Sequence, residues 1–420
     1  MKIKGGDFLI HKTDPSSIFI PEEWNEEQIM LRDMVQDFLK KELHHLTEEP
    51  DATKDITFAK ELLDKSAELG LCGLHINENY GGTNLNFNSG LLFTEAMSWG
   101  FSFATTMGAH VSIGSLPIVY YGNEEQKKKY LPKIANAEMK AAYALTEPSA
   151  GSDANSGKTK ATIDQENNRY LINGQKMWIT NAGFADLFIV FAKIEDDKNL
   201  SAFIVEKSFG GITLGEEEKK LGIKGSSTRQ VFFTDCPVPK ENLLGEREGG
   251  FKIALNILNS GRIKLAAGAV GGSKFALNKA ISYAIERKQF GKSIAEFAAM
   301  KHKMGEMARR IFAAESAVYR TGKNIDQKEQ ELQKEGKNEN EVKLEALREF
   351  AIECAMMKVY STEVLDYCVD EALQIYGGMG YSAEAGVEMG YRDARITRIY
   401  EGTNEINRML AFAELMKRAF

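Results

Sequence analysis

The spacing of hydrophobic positions changes along the chain. From about residue 24 to 138, apolar residues recur every three to four positions, as in LRDMVQDFLKKEL and FAKELLDKSAELG, which predicts amphipathic helices. Gly70, directly after the second of these segments, is a typical helix stop. From about 140 to 248 the period becomes two, as in DLFIVFA, LSAFIVE and RQVFFTD, and the pair Asn173 and Gly174 inside RYLINGQKMWIT predicts a hairpin turn. This middle region is therefore expected to be a compact antiparallel β domain.

From about residue 249 to the end, the helical period returns in longer segments. Residues 251–290 are expected to form one or two helices, and 300–322 a further one. The nearly all-polar stretch 322–343 predicts a solvated helix end or a mobile connection, after which the helical pattern resumes. The chain is therefore predicted to have a mostly helical α+β fold with an N-terminal helical domain (1–139), a middle β domain (140–248) and a C-terminal helical domain (249–420).

Composition and charge restrict the class of protein. Hydrophobic residues make up 43% and charged residues 27%, as in ordinary soluble globular proteins, and the net charge of -7 without a basic stripe argues against a nucleic-acid partner. No apolar run approaches the ~18 residues of a transmembrane helix. The N-terminus has neither the apolar core of a signal peptide nor the composition of a transit peptide, so we expect a cytoplasmic location. The four cysteines are far apart and are expected to be reduced core thiols.

Several short motifs do not carry the chemistry that they suggest. GMGYSA (378–383) matches the dinucleotide fingerprint, but the segment before it has a helical pattern where the fingerprint needs a strand. FGKS (290–293) resembles the end of a phosphate-binding loop, but Glu286 stands at the position of the required first glycine. No HExxH motif, EF-hand loop or CxxC spacing is present, so no metal site is expected.

Two segments of the β region could bind a planar, polar-edged group. In YALTEPSAGSD (143–153), Thr146 and Ser152 offer hydroxyl and backbone N–H groups in a turn of small residues, which could contact a flavin edge and a diphosphate. The same turn could equally be a structured loop of the β domain. In QKMWIT, strand alternation places Trp178 and Thr180 on one face of the strand. The Trp178 indole can then pack on a planar ligand ring while the Thr180 hydroxyl forms a hydrogen bond with the edge of that ring.

A third segment, RIYEGTNEI, contains a candidate base. Glu401 lies between Tyr400 and the small turn residue Gly402, and it follows the apolar Ile399. Partial removal of water would raise the pKa of this carboxyl group, which suits a general base acting on a weakly acidic C–H bond. An isolated Glu in a turn is more often a surface residue, so this segment alone does not assign the role.

Five segments in the same order resemble the acyl-CoA dehydrogenase family: YALTEP…GSD, NGQKMWITN, ERKQFG, QIYGGMGY and RIYEGTNEI. GAHVSIGS, SAFIVEKSFGGIT and EKKLGIKGSST are similar to its very-long-chain branch. The resemblance implies an N-terminal helical domain, a middle β domain and a C-terminal four-helix bundle with FAD at their junction, in agreement with the α, β, α order. It also implies α,β-dehydrogenation of fatty acyl-CoA to trans-2-enoyl-CoA, as in fatty acid β-oxidation.

The resemblance further implies which residues hold FAD. Those expected within one subunit are Tyr143, Leu145, Thr146, Ser152, Trp178, Thr180, Thr403 and Glu405. Those expected to reach the FAD of a neighbouring subunit are Arg287, Gln289, Phe290, Gln374, Gly377 and Gly378. A homodimer is therefore the smallest expected assembly, and a homotetramer is the alternative.

The resemblance also implies the catalytic chemistry. One branch of the family carries its catalytic Glu just before the arginine that matches Arg262. In this chain that position is Gly261, so Glu401 is the expected base. Glu401 is expected to remove the α-proton while a hydride passes to flavin N5. The Glu401 N–H and a flavin ribityl hydroxyl are expected to polarise the thioester carbonyl. The residues expected at the substrate are Ser152, Arg262, Thr105, Ala109 and Gly402. Thr105 and Ala109 stand where medium-chain relatives have larger polar residues, which predicts long acyl substrates.

Three alternatives remain open from the sequence. The electron acceptor is expected to be an electron-transfer flavoprotein, whereas an acyl-CoA oxidase would use the same residues and pass electrons to oxygen. A flavin-binding assembly protein without turnover is a further class, which the intact Glu401 argues against. Very-long-chain relatives continue well beyond this motif, whereas this chain stops at Phe420, so a natural short enzyme and a truncated chain are both compatible with the sequence.

Overall fold

The computed structural model describes residues 4–6, 18–44 and 49–419. Most of the N-terminal segment considered above for a targeting signal, and Phe420, lie outside the described residues. The helices of the N-terminal region are α1 (Glu26–Glu42), α2 (Thr57–Glu68), α3 (Phe87–Met97), α4 (Ser102–Gly108), α5 (Leu116–Tyr121) and α6 (Glu124–Ala135), with a π-helical turn (Ala109–Gly114) between α4 and α5.

Local sequence signals determine where these helices begin and end. Asn25 and Asn123 each accept a backbone N–H three residues ahead, in capping boxes that start α1 and α6. Gly70 follows α2 with a φ of 75°, which confirms the predicted helix stop.

The middle region is a sheet of mostly antiparallel strands. They are β1 (Ala141–Ala144), β2 (Lys160–Asp164), β3 (Arg169–Thr180), β4 (Leu187–Ile194), β5 (Ser201–Glu206), β6 (Ile212–Leu214), β7 (Thr228–Pro239) and β8 (Leu243–Leu244). The sheet order is β6-β7-β3-β2-β4-β5-β8, with β1 beside β4. Two pairings, β1 with β4 and β2 with β4, are parallel, which the prediction of an antiparallel domain did not anticipate.

The hairpin predicted at Asn173 and Gly174 is wrong. Both residues lie inside the continuous strand β3, and the register against β7 shifts between Ile172 and Gly174, which marks a bulge. A Cβ atom at Gly174 would stand 2.6 Å from the Thr159 hydroxyl oxygen. Glycine is therefore required here for a close approach within the sheet.

The C-terminal region is helical. Its elements are α7 (Gly250–Glu286), the short strands β9 (Lys288–Gln289) and β10 (Lys292–Ser293), α8 (Ala298–Lys334), α9 (Glu339–Glu349), α10 (Ala351–Tyr376), α11 (Gly378–Tyr381), α12 (Val387–Ala394) and α13 (Asn404–Ala419). Helices α7, α8, α10 and α13 pack together as the predicted bundle, and α3 packs against α7 and α8. The α, β, α order is thus confirmed, while the predicted domain boundaries stay predictions.

The polar stretch 322–343 is mostly a helix end. Helix α8 continues to Lys334, and Ile325 and Leu332 are buried along it because they face the bundle. Only four residues separate α8 from α9.

Within the described part of the chain, no helix combines the length and apolar character needed to cross a bilayer.

Candidate active site

The turn that carries Glu401 has an unusual backbone conformation. Glu401 and Gly402 both lie in the left-handed region, with φ values of 58° and 81°. For a residue with a side chain this conformation costs about 1–2 kcal/mol. Arg262 donates from Nε to the Glu401 carbonyl oxygen at 3.4 Å, and Asn407 donates from Nδ2 to the Gly402 carbonyl oxygen at 2.8 Å. Because the surroundings enforce a strained conformation at a carboxylate, a functional constraint is a reasonable hypothesis.

The Glu401 carboxyl group occupies the space that a side chain at position 261 would fill. A Cβ atom at Gly261 would stand 2.3 Å from Glu401 Oε2, so the glycine on α7 is what makes room for this carboxyl group. Oε2 is buried and has no hydrogen-bond partner among the residues that the structure describes. Burial raises the pKa of Glu401 to about 7, although the positive charges of Arg262 and Lys358 act in the opposite direction.

Buried polar residues that the sequence analysis missed hold this turn in place. Lys358 donates from Nζ to the Gly402 carbonyl oxygen at 2.8 Å and to Asn404 Oδ1 at 2.7 Å, and burial lowers the pKa of Lys358 to about 8. Arg262 is oriented by Asn259, whose Oδ1 accepts from Nη1 at 2.7 Å. In the sequence, Lys358 is one of several polar residues of α10, and no local signal distinguishes it.

Glu401 lines a cavity of about 450 Å³. One wall is a row of residues along α7 that includes Gly261, Gly268 and Gly272, and it ends at Lys279. At 1.5 Å per residue, this row of α7 extends for about 27 Å. Thr105 and Ala109, for which contact with the substrate remains a prediction, also border the cavity; their segments are α4 and the π-helical turn.

Next to this cavity, the structure brings together the two predicted flavin segments. Met177 donates its N–H to the Thr146 carbonyl oxygen at 2.9 Å, so the turn 143–153 lies against β3. Thr180 borders the same cavity as Glu401. Trp178 has a φ of 61° at a second bulge of β3 and is 53% exposed, so simple alternation does not relate its side chain to that of Thr180.

A buried ion pair joins these two segments. Lys176 on β3 donates to Glu147 Oε1 at 2.7 Å and to the Leu145 carbonyl oxygen at 3.1 Å. Glu147 also accepts the N–H groups of Lys158 and Thr159. Burial lowers the pKa of Lys176 to about 8. Burial alone would raise the pKa of Glu147, but Lys176 and the hydrogen bonds to the Glu147 carboxylate lower this pKa overall. The ion pair fixes the turn relative to the strand that carries Trp178.

The residues in this area fit a planar group with a polar edge. The Tyr143 hydroxyl is buried and has no partner among the described residues, and its ring packs edge-on against Phe191 at 5.1 Å. The half-exposed Trp178 indole offers apolar surface, and the exposed Ser152 offers polar surface. Leu145 is buried below the turn. Thr403, one residue beyond Gly402, is half-buried, whereas Glu405 is exposed on the first turn of α13.

The residues expected to serve a neighbouring subunit lie far from Glu401 in the same chain. Arg287 follows the end of α7 and is 26 residues beyond Gly261, which corresponds to about 39 Å along the helix. Phe290, at the turn between β9 and β10, is 93% exposed. Gln374, Gly377 and Gly378 are exposed at the end of α10 and the start of α11. A single chain therefore does not bring both predicted groups to one site.

Metal binding has no support in the residues that the structure describes. They contain no cluster of three or more histidine, cysteine or acidic side chains that could hold a metal ion. The four cysteines are free and buried, and burial raises their pKa values, which fits the prediction of reduced core thiols.

Family models match nearly the whole chain. The N-terminal, middle and C-terminal domains of acyl-CoA dehydrogenase match residues 25–138, 142–236 and 248–416, respectively. The chain belongs to the acyl-CoA dehydrogenase family, whose members are FAD-dependent oxidoreductases. This confirms the resemblance read from the five sequence segments.

Individual relatives agree with this assignment. A probable acyl-CoA dehydrogenase of Bacillus subtilis is 46% identical over 99% of this chain and 70% of its own length. The human mitochondrial very-long-chain specific acyl-CoA dehydrogenase is 41% identical over 81% of this chain, and the match spans 51% of that relative. The crystal structure of an acyl-CoA dehydrogenase from Bacillus anthracis complexed with FAD has a TM-score of 0.95 at 46% identity, and covers 99% of this chain and 73% of the other.

Proposed function

We propose that this protein catalyses the FAD-dependent α,β-dehydrogenation of long-chain fatty acyl-CoA, with Glu401 as the base that removes the α-proton. The observation that carries the proposal is the Glu401 carboxyl group, because Glu401 borders a large cavity and its pKa is raised to about 7. At a pH near its pKa, a large fraction of the base is present as the carboxylate, and this carboxylate still has a strong affinity for a proton.

Each group at the turn has a distinct part in this proposal. Glu401 takes the α-proton on its carboxylate, and its backbone N–H donates to the thioester carbonyl oxygen, where negative charge develops. Arg262 and Lys358 bond the carbonyl groups of the turn and so fix the direction of the carboxyl group. FAD, when bound, supplies the acceptor for the hydride that leaves the β-carbon.

The cofactor is proposed to lie against the exposed face of Trp178, with Thr146, Ser152 and Thr180 at its polar edge. The half-exposed indole and Thr180, which borders the cavity, support this placement. Tyr143, Leu145, Thr403 and Glu405 complete the proposed site within the subunit. The exposed positions of the second group support its proposed role at the FAD of a partner copy of this chain: Arg287, Gln289, Phe290, Gln374, Gly377 and Gly378.

The raised pKa of Glu401 predicts a specific pH profile. Below about pH 7 the carboxyl group is protonated and cannot accept the α-proton, so kcat/KM should fall roughly tenfold for each pH unit. Above this value the carboxylate dominates, and kcat/KM should level off. Initial rates with one acyl-CoA across this range test the prediction, and a profile that stays flat down to about pH 5, near the ordinary value for Glu, would contradict it.

The preference for long acyl chains rests on the length of the cavity. Its α7 wall extends for about 27 Å. By comparison, the long acyl chains of one bilayer leaflet fill about half of the ~30 Å hydrocarbon core, which is shorter than this wall. The small side chains at Thr105 and Ala109 leave this space open near Glu401. A turnover profile that peaks at butyryl-CoA would contradict the proposal.

Filling the middle of this cavity should shorten the preferred substrate. Gly268 lies seven residues beyond Gly261 on α7, and a Cβ atom there would stand 3.8 Å from Thr94 Cγ2, so a small side chain fits. Gly268→Leu should lower kcat/KM for hexadecanoyl-CoA by at least about tenfold, because the bulk reduces the space for a long chain. Gly268→Ala is the matched control and should change the profile little. Equal profiles for the Leu variant and the wild type would contradict the assigned path.

One experiment separates the proposed reaction from its alternatives. Saturated acyl-CoAs of graded length are added anaerobically while the flavin absorbance is followed, and then oxygen or an electron-transfer flavoprotein is admitted. We expect bleaching, with rapid reoxidation by the electron-transfer flavoprotein, the proposed acceptor. Rapid reoxidation by oxygen would favour an acyl-CoA oxidase, and the absence of bleaching with every acyl-CoA would favour a flavin-binding assembly protein.

A further inference from the structure

Residues 221–227, which we call the junction loop, contact all three regions of the chain. On the N-terminal side, Ala52 donates its N–H to the Lys224 carbonyl oxygen at 2.9 Å, and the Gly225 N–H donates to Ser102 Oγ at 3.2 Å. On the β side, Asn181, which directly follows Thr180, donates its N–H to the Ser227 carbonyl oxygen at 2.9 Å. A displacement of this loop would therefore affect the place where the three regions meet.

The C-terminal side holds the junction loop most closely, through two neighbouring residues of α12. Asp393 Oδ1 accepts a short hydrogen bond from the Ile223 N–H. Arg392 donates from Nη1 to the Leu221 carbonyl oxygen at 3.0 Å, and it is itself paired with Glu49 and Glu388. These bonds connect the loop to the helix that precedes the Glu401 turn.

The conformation that these bonds hold is strained. Ile223 has a φ of 48°, and the left-handed region is a genuine outlier for a β-branched residue. The backbone at Gly222 approaches α12 so closely that a Cβ atom there would stand 2.6 Å from Asp393 Oδ1 and 2.5 Å from the Arg392 carbonyl carbon. Such strain persists only where the surrounding contacts enforce it.

The junction loop, held in this way, forms part of the wall of the cavity. Ile223 and Asp393 both border the cavity that contains Glu401. Asp393 Oδ2 is buried and bonds to nothing in the described part of the chain, and burial raises the pKa of Asp393 to about 7. This carboxyl group has no part in the proposed proton transfer, and its one hydrogen bond within the described residues goes to the loop.

We propose that Asp393 is a positioning residue for acyl-CoA binding: by accepting the Ile223 N–H, it holds the junction loop in its strained conformation, so that Ile223 forms a wall of the acyl cavity. The proposal rests on the proposed function for the identity of the ligand. Because the wall contacts the ligand equally before and during the reaction, its loss weakens binding without slowing the chemical step. Glu401 keeps its orientation, since Arg262, Lys358 and Asn407 fix it separately.

The test uses the flavin-loaded full chain and two variants that release the loop in different ways. Asp393→Ala removes the acceptor, and Gly222→Ala forces the loop away from α12 while the carboxyl group remains. Both should raise KM for hexadecanoyl-CoA, and the calorimetric Kd for hexadec-2-enoyl-CoA, by roughly tenfold, with kcat within about twofold of the wild type. Asp393→Asn keeps an acceptor oxygen and should restore most of the affinity. Glu384→Ala, which removes an exposed acid just before the same helix that bonds neither the loop nor Arg392, should bind like the wild type.

The outcomes separate a positioning role from general stabilisation. If Asp393→Ala does not fold, Gly222→Ala and the Asn variant still decide the question. Unchanged KM and Kd in both loop-releasing variants would overturn the proposal. So would an equal loss of kcat and flavin in Asp393→Ala that the Asn variant does not restore. If the wild type binds the enoyl-CoA but shows no bleaching with acyl-CoA, the proposed function fails, while the Kd values still test the loop.

Discussion

Glu401→Gln should retain bound flavin and lose turnover. The amide has nearly the shape of the carboxyl group and can occupy the space beside Gly261, but it cannot accept a proton. General bases contribute about 10²- to 10⁴-fold to rate, so kcat should fall within or beyond that range while the flavin absorbance per chain stays constant. Steady-state turnover with hexadecanoyl-CoA and an electron-transfer flavoprotein measures the loss.

A matched control separates this effect from a general loss of negative charge. Glu414 lies on α13, pairs with Lys417 at 2.6 Å and does not border the cavity. Glu414→Gln should therefore turn over like the wild type. Near-normal turnover of the Glu401→Gln variant would show that another group removes the proton.

Lys176→Met should cause a large loss of stability. Lys176 and Glu147 are both buried, and removal of one partner leaves an uncompensated charge in the interior. Such changes lower the free energy of unfolding by about 3–5 kcal/mol. Because the pair also fixes the turn 143–153 against β3, the folded fraction should bind FAD more weakly. Chemical denaturation and flavin content per chain measure the two effects.

Two further variants test whether the cause is the broken pair. Lys160 on β2 makes a comparable pair with Asp196, but both side chains are exposed, so Lys160→Met should change the stability by less than about 1 kcal/mol. Adding Glu147→Leu to Lys176→Met removes the uncompensated charge and should recover part of the loss. A double variant less stable than Lys176→Met alone would contradict this account.

The sequence predicted the order of the regions, because this order depends on local pattern. The helix stop at Gly70 and the helical period of α7 and α10 are properties of neighbouring residues. The hairpin at Gly174 failed because a glycine that permits a turn also permits a close approach, and only the packing of Thr159 distinguishes the two.

The support around the site depended on distant residues and could not be read from local pattern. The lysines at 176 and 358 are ordinary in sequence, and each becomes informative only when its buried partner, Glu147 or Asn404, is placed beside it. In contrast, the relation between Gly261 and Glu401, 140 positions apart, was anticipated from the family resemblance. The structure adds its physical reason, which is that the carboxyl group fills the space left by the missing side chain.

The most direct test of the account is the anaerobic rate of flavin bleaching in a single turnover, compared between the wild type and the Glu401→Gln variant at saturating hexadecanoyl-CoA. This measurement isolates the chemical step from substrate binding and from the electron acceptor. We expect rapid bleaching in the wild type and bleaching slower by at least about 10²-fold in the variant, with similar Kd values for the acyl-CoA. Equal bleaching rates in the two proteins would contradict the assignment of Glu401 as the base.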